Sequence, residues 1–138
     1  MRLLKQLGSI ILLLAWMIVI YRFSDQPNSN DMTENMFGGF NYFVRKGAHM
    51  AEFGILFCLA LNCFVTFQKQ HFRRERIGVL LRILTVPVLF SIFYAITDEW
   101  HQSFVPGRSA VYSDVAIDSI GIVIAAMLSL VAQAFRRH

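Results

Sequence analysis

Residues 98–108 read Asp-Glu-Trp-His-Gln-Ser-Phe-Val-Pro-Gly-Arg and follow directly on a long apolar run. Two acids, an imidazole, an amide and a guanidinium thus fall within eleven residues at the end of an apolar segment. Ionisable groups are costly to hold at the end of a membrane helix, and they mark candidate functional sites there. Asp98 and His101 are three residues apart, as are Glu99 and Gln102, so a helix continued this far puts each pair on one face. Pro106-Gly107 marks a turn that returns Arg108 towards the same level. A solvated loop can have the same composition, so the reading depends on what other segments bring to that level.

Two segments bring matching groups. Arg45, His49 and Glu52 stand at i, i+4 and i+7 on one helical face, with Lys46 beside them. Glu52 falls about two turns into apolar sequence, where an unpaired carboxylate is expensive or neutralises. It is therefore expected to pair with His49, Arg45 or a group from another helix, as a clamp between helices or as part of a site. Asp114 and Asp118 are four residues apart at the start of another apolar run. Acids in a first turn suit the helix dipole, with Ser113 or Asp114 as the cap. That accounts for Asp114 but not for Asp118, one turn deeper.

Two chemistries fit this set. A carboxylate and a His three residues apart on each of two helices resembles the ligand pattern of bundle metal sites. On that reading His49, Glu52, Asp98 and His101 hold a divalent metal. Alternatively the acids orient His49 or His101 as a general base. His49, Glu52, Asp98, Glu99, His101 and Asp114 then form the catalytic set. Arg45, Lys46, Gln102, Arg108 and Asp118 contact a ligand, with the cations on its phosphate. An outer-leaflet phospholipid or a lipid-linked cell-wall intermediate would present a phosphate at this depth.

The elements that must position these groups are apolar helices. The chain of 138 residues is 56% hydrophobic, with a mean hydropathy of +0.51. Soluble domains are about 45–50% apolar, so the expected fold is all-α: an integral membrane bundle of four helices in one domain. The helices are expected at about 4–23, 44–67, 77–101 and 114–135. A bilayer core takes roughly 20 helical residues; Lys5, Arg22 and Arg82 can snorkel to extend the shorter runs. Ser24 to Asn41 reads as an irregular loop with a short interfacial helix near Met32 to Phe37. Pro87 is expected to kink the third helix. Gly47, Ala48, Ala51 and Gly54 are small enough to admit a neighbouring helix closely. Cys58 and Cys63 read as inert packing thiols.

Charge distribution sets the expected orientation. Arg2, Lys5, Lys69, Arg73, Arg74, Arg76, Arg82, Arg136 and Arg137 lie on one side, and the positive-inside rule assigns that side to the cytoplasm. Every acid except Glu75 lies on the other. Both termini are then cytoplasmic in a bacterial cytoplasmic membrane, and the polar groups face outward. Tyr21-Arg22-Phe23-Ser24 offers no small-x-small cleavage pattern, so the first helix reads as a retained anchor. The net charge of +4 reflects topology and anionic inner-leaflet lipid. It gives no reason to invoke nucleic acid.

With these residues placed, the chain resembles the VanZ-like family, small bacterial membrane proteins named after the teicoplanin-resistance protein. The resemblance rests on Phe23-Ser24-Asp25-Gln26, on Arg45-Lys46-Gly47-Ala48-His49-Met50-Ala51-Glu52-Phe53, on Thr97 through Arg108, and on Ser113-Asp114-Val115 through Gly121. It implies Lys46, His49, Glu52, Asp98, Glu99, Gln102, Arg108 and Asp114 as family positions. Asp118 stands where Asn is common in the family, and Phe53 where Tyr is common. The resemblance implies an envelope location and a link to glycopeptide resistance, without a reaction. A membrane-embedded hydrolase or transferase acting on a lipid phosphate fits the cluster. The alternative is a non-catalytic binder of envelope lipid or lipoglycopeptide that limits drug access to its target. Proton-linked transport fits least, because polar groups are scarce in the other half of the bundle.

Overall fold

Lipid offers no partner for backbone N–H and C=O groups, so an apolar run that crosses it must satisfy them within its own helix. The computed structural model describes residues 1–68, 77–108 and 111–135, and every regular element among them is helical. The order is α1 (Arg2–Ser24), α2 (Ser29–Phe37), one 3-10 turn (Gly38–Phe40), α3 (Asn41–Phe67), α4 (Ile77–Gln102) and α5 (Tyr112–Phe135). The four apolar runs are α1, α3, α4 and α5, each within three residues of its expected bounds. All four are long and apolar enough to cross a membrane. α4 runs through Pro87 as one helix. The basic segment Lys69 to Arg76 and the Arg136-Arg137 pair, on which the expected orientation leans, lie outside the described residues.

α3 is the central element. It packs against α1, α4 and, most extensively, α5, whereas α1 and α5 do not meet among the described residues. The core is a short column of Ile20 from α1, Phe53, Leu56 and Phe57 from α3, Leu84 and Ala95 from α4, and Ile122 and Ala125 from α5. Large apolar side chains such as Ile18, Phe93, Ile124 and Leu128 point outward, as a lipid-facing surface requires. Burying them against protein gains little when lipid tails are equally apolar, so hydrogen bonds and close packing must fix the helices. Tyr94 donates its hydroxyl to the Met17 carbonyl at 2.7 Å, and Trp16 Nε1–H donates to the Glu52 carbonyl at 3.0 Å. At the opposite end Ser9 and Thr66 share a hydroxyl hydrogen bond of 3.1 Å.

Three expectations need correction. The short helix expected near Met32 to Phe37 is present but starts earlier, at Ser29, and a 3-10 turn follows it, so less of the segment after α1 is irregular than expected. Asn28 adopts a left-handed conformation at φ 52°, and its N–H donates to the Pro106 carbonyl at 3.2 Å. Gly107, at φ 77°, lies against Asn28 where a Cβ would collide with the asparagine side chain. That tertiary bond overrides the weak local propensity of an Asn- and Ser-rich stretch. Second, Cys58 is exposed on the bundle surface instead of being packed. Third, Gly47 faces open space, and the close approach on α3 is made by Gly54.

Candidate functional site

The site is built where α3 and α5 begin and α1 and α4 end. Its geometry starts from two glycines. A Cβ on Gly121 would overlap the Met50 backbone carbonyl, and one on Gly54 would meet the Gly121 carbonyl at 3.3 Å. Backbone contact at that crossing sets α3 and α5 in parallel register. Asp118, one turn before Gly121, consequently reaches His49, the neighbour of Met50. Asp118 Oδ1 lies 3.5 Å from His49 Nδ1. One turn nearer the helix starts, Lys46 Nζ forms an ion pair with Asp114. Helix α5 begins at Tyr112, so Ser113 and Asp114 lie inside its first turn and do not cap it. The role expected for a cap falls to Glu99, whose Oε1 accepts the Val111 N–H at 2.5 Å, satisfying a donor that helix formation leaves orphaned.

α4 contributes a second, buried network. Asp98 is engaged through both oxygens: Ser24 Oγ donates to Oδ1 at 2.6 Å and Gln102 Nε2 to Oδ2 at 2.7 Å. Gln102 Nε2 also reaches Ser24 Oγ at 3.2 Å. Arg108 returns from the Pro106-Gly107 turn as expected, donating Nη1 to Gln102 Oε1 at 2.9 Å and Nη2 to the Phe23 carbonyl at 2.6 Å. Burial pushes the Arg108 guanidinium below its ordinary pKa and Arg45 adds to the push, while Asp98, Glu52 and Glu99 oppose it. Guanidinium stays charged through such a shift. Glu99 and Gln102, although three residues apart, serve different neighbours.

The four residues expected to share a metal are divided. His49 pairs with Asp118, Asp98 is held by Ser24 and Gln102, and His101 turns to α1. There its Nε2 lies 3.6 Å from Asp25 Oδ1, with its ring tilted at 42° against Tyr21 and 4.7 Å between centroids. Glu52 makes no ion pair among the described residues, so it is not the expected clamp. No three His, Cys, Asp or Glu among the described residues come close enough to hold an ion together. The donor set therefore does not fit a divalent metal, because α3 and α4 aim their His residues at different partners.

Two polar cavities open at this end among the described residues. One of about 400 Å³ is lined by Glu34, Asn41, Arg45, Lys46, Arg108 and Asp114, among others. The other, about 260 Å³, is lined by Ser24, Arg45, His49, Glu52 and Arg108, among others. Arg45, His49 and Arg108 border both. Arg45 makes no ion pair or hydrogen bond among the described residues, unlike Lys46 with Asp114. Arg108 Nε is buried with no hydrogen-bond partner among those residues, and the buried His49 Nδ1 and Asp118 Oδ1 have only each other, at 3.5 Å. Such atoms are rare in folded proteins and concentrate at sites of function. A guanidinium free to present a planar fork, a second guanidinium beside it and an acid-paired imidazole are groups with the chemistry to bind an oxyanion.

Ser24 and Asp25 were not singled out from the sequence as site residues. Both lie in the Phe23–Gln26 stretch, and a small hydroxyl at the end of an apolar span is the available signal, since such groups hydrogen-bond across helices in membranes. Glu34 and Asn41, also missed, enter through α2 and the start of α3, whose fold the local sequence obscured. A family model described as VanZ/LLP1 matches residues 9–133. No curated protein and no solved structure matches the chain.

Proposed function

The chain belongs to the VanZ/LLP1 family, and from that premise we propose a protein of the bacterial envelope that takes an anionic lipid headgroup into its polar end. The ligand class is an outer-leaflet phospholipid or a lipid-linked cell-wall precursor. The observation that carries this reading is Arg45, a cation without an acidic partner that borders both cavities. Arg108, oriented by Gln102 and the Phe23 carbonyl, supplies the second cation. The positive-inside rule puts this end on the extracytoplasmic side and both termini in the cytoplasm. Sequestering such a headgroup would alter a glycopeptide's access to its lipid-anchored target, in line with the resistance link of the family.

The test is binding of fluorescent phosphatidylglycerol, against phosphatidylcholine, by purified protein and its Arg45→Gln variant. Wild type is expected to prefer the anionic lipid, and Arg45→Gln to lose that preference by about tenfold, the worth of a charge-assisted hydrogen bond. An unchanged preference in the variant overturns the reading.

A second reading, turnover of the bound lipid, is favoured by the His49–Asp118 pair at the cavity wall. An acid-paired imidazole is the usual form of a general base. Mass spectrometry of envelope lipids incubated with wild type and His49→Ala would decide between the readings. A product made by wild type alone, with lipid binding intact in both, establishes catalysis; no product leaves a binder.

A further inference from the structure

Beside the polar cavity, the same end of the bundle carries an apolar groove of about 770 Å³ between α4 and α5. Ile96, Trp100, Val111, Tyr112, Val115 and Ala116 line most of it. The groove adjoins the polar cavity directly, because Val111 borders both. Glu99, on the groove side, accepts the Val111 N–H. Ile96 and Trp100 belong to a membrane-crossing segment and Tyr112 starts the next, so the groove opens sideways at the depth where that segment meets lipid. Trp100 is 69% and Tyr112 94% exposed, and Trp100 stacks edge-on against Phe104 with 5.4 Å between ring centroids. Exposed Trp and Tyr at the end of a span occupy the headgroup boundary, which places the groove immediately on the hydrocarbon side of it.

We infer that the polar cavity and the α4–α5 groove are two halves of one site for a membrane amphiphile, with the phosphate at Arg45 and Arg108 and one hydrocarbon chain in the groove. This rests on the headgroup reading above and extends it to how the ligand arrives and lies. The occupant of the groove is hydrocarbon because the groove is lined by apolar residues at the end of two membrane-crossing segments and shares Val111 with the site of the anion. The ligand enters laterally between the ends of α4 and α5, and its headgroup linkage passes over Val111. Transfer of a chain from lipid to the groove removes no apolar surface from water. The groove therefore orients the ligand more than it tightens it. A lipid-anchored phosphate is favoured over the same phosphate in solution because the bilayer concentrates it at the mouth of the groove, not because the groove binds its chain tightly.

Photolabelling in phosphatidylcholine nanodiscs tests this. Two probes carry the same diazirine acyl chain, one on phosphatidylglycerol and one on phosphatidylcholine, each at low mole fraction. The anionic probe is expected to label the peptides around Ile96–Trp100 and Val111–Ala116 on the order of tenfold more than the neutral one, the headgroup preference alone, since the two chains are the same. Arg45→Gln should abolish that excess. Ala116→Trp, which fills the groove, should lower it there while the anionic preference of the protein persists. Excess labelling instead beside Gly54 and Cys58, still dependent on Arg45, overturns the groove and leaves the headgroup reading standing. Equal labelling by both probes everywhere overturns both. Displacement of the anionic probe by an equal concentration of free glycerol phosphate overturns the amphiphile and points to a soluble ligand.

Discussion

Two histidine–carboxylate pairs stand at the polar end of this bundle, and their spacings are almost the same: 3.5 Å for His49–Asp118 and 3.6 Å for His101–Asp25. Their surroundings differ. The Asp118 side chain is 2% exposed and that of Asp25 is 48% exposed. The first pair is wedged between α3 and α5 at their closest approach; the second lies on the rim where α1 meets α4. Removing one partner of a buried pair strands the other without solvent and costs several kcal/mol. An exposed pair is screened and contributes about 0–1 kcal/mol. Equal distances thus describe a buried pair at a helix crossing in one region and a surface contact in the other.

The comparison breaks most severely at the crossing that creates it. Gly121→Leu puts side-chain atoms where the Met50 carbonyl lies and should cost about 4 kcal/mol or more, read as loss of monodisperse, helical protein on heating in detergent. Asp118→Ala should cost about 3 kcal/mol in the same thermal measurement. Asp118→Asn should recover a substantial part of that loss, because an amide can still meet His49. A full loss with Asn would show that charge, not occupancy, holds the crossing. Asp98→Ala leaves Ser24 and Gln102 without their acceptor and should cost about 2 kcal/mol. Asp25→Ala, which removes the partner of His101, should cost no more than about 0.5 kcal/mol and leave anionic-lipid binding at the wild-type level. A loss with Asp25→Ala matching that with Asp118→Ala would show that burial does not distinguish the two pairs.

Local pattern carried much of this architecture. The four crossing helices followed from uninterrupted apolar runs, because lipid leaves an apolar segment no alternative to satisfying its own backbone. The return of Arg108 followed from Pro106-Gly107. The α2 segment was legible in part: a short helix near Met32 to Phe37 was expected, whereas its start at Ser29 lies beside Asn28, which is tied to the distant Pro106 carbonyl. The metal set failed for a related reason. Helical spacing places Asp98 and His101 on one face of α4, but it says nothing of whether that face meets His49 on α3 or Ser24 and Asp25 on α1.

The sequence by itself determined that this chain forms apolar helices with its acids, His49, His101, Arg45 and Arg108 near one end, since the period of a helix and the polarity of lipid act residue by residue. Only the tertiary structure decided the partners. Backbone contact at Gly54 and Gly121 sets the register of α3 against α5, so Asp118 goes to His49 and Asp114 to Lys46. Ser24 takes Asp98, and Arg45 is left facing the cavities without an acid. Charge pairing falls off over a few ångströms, and which groups come within that range is set by how helices cross.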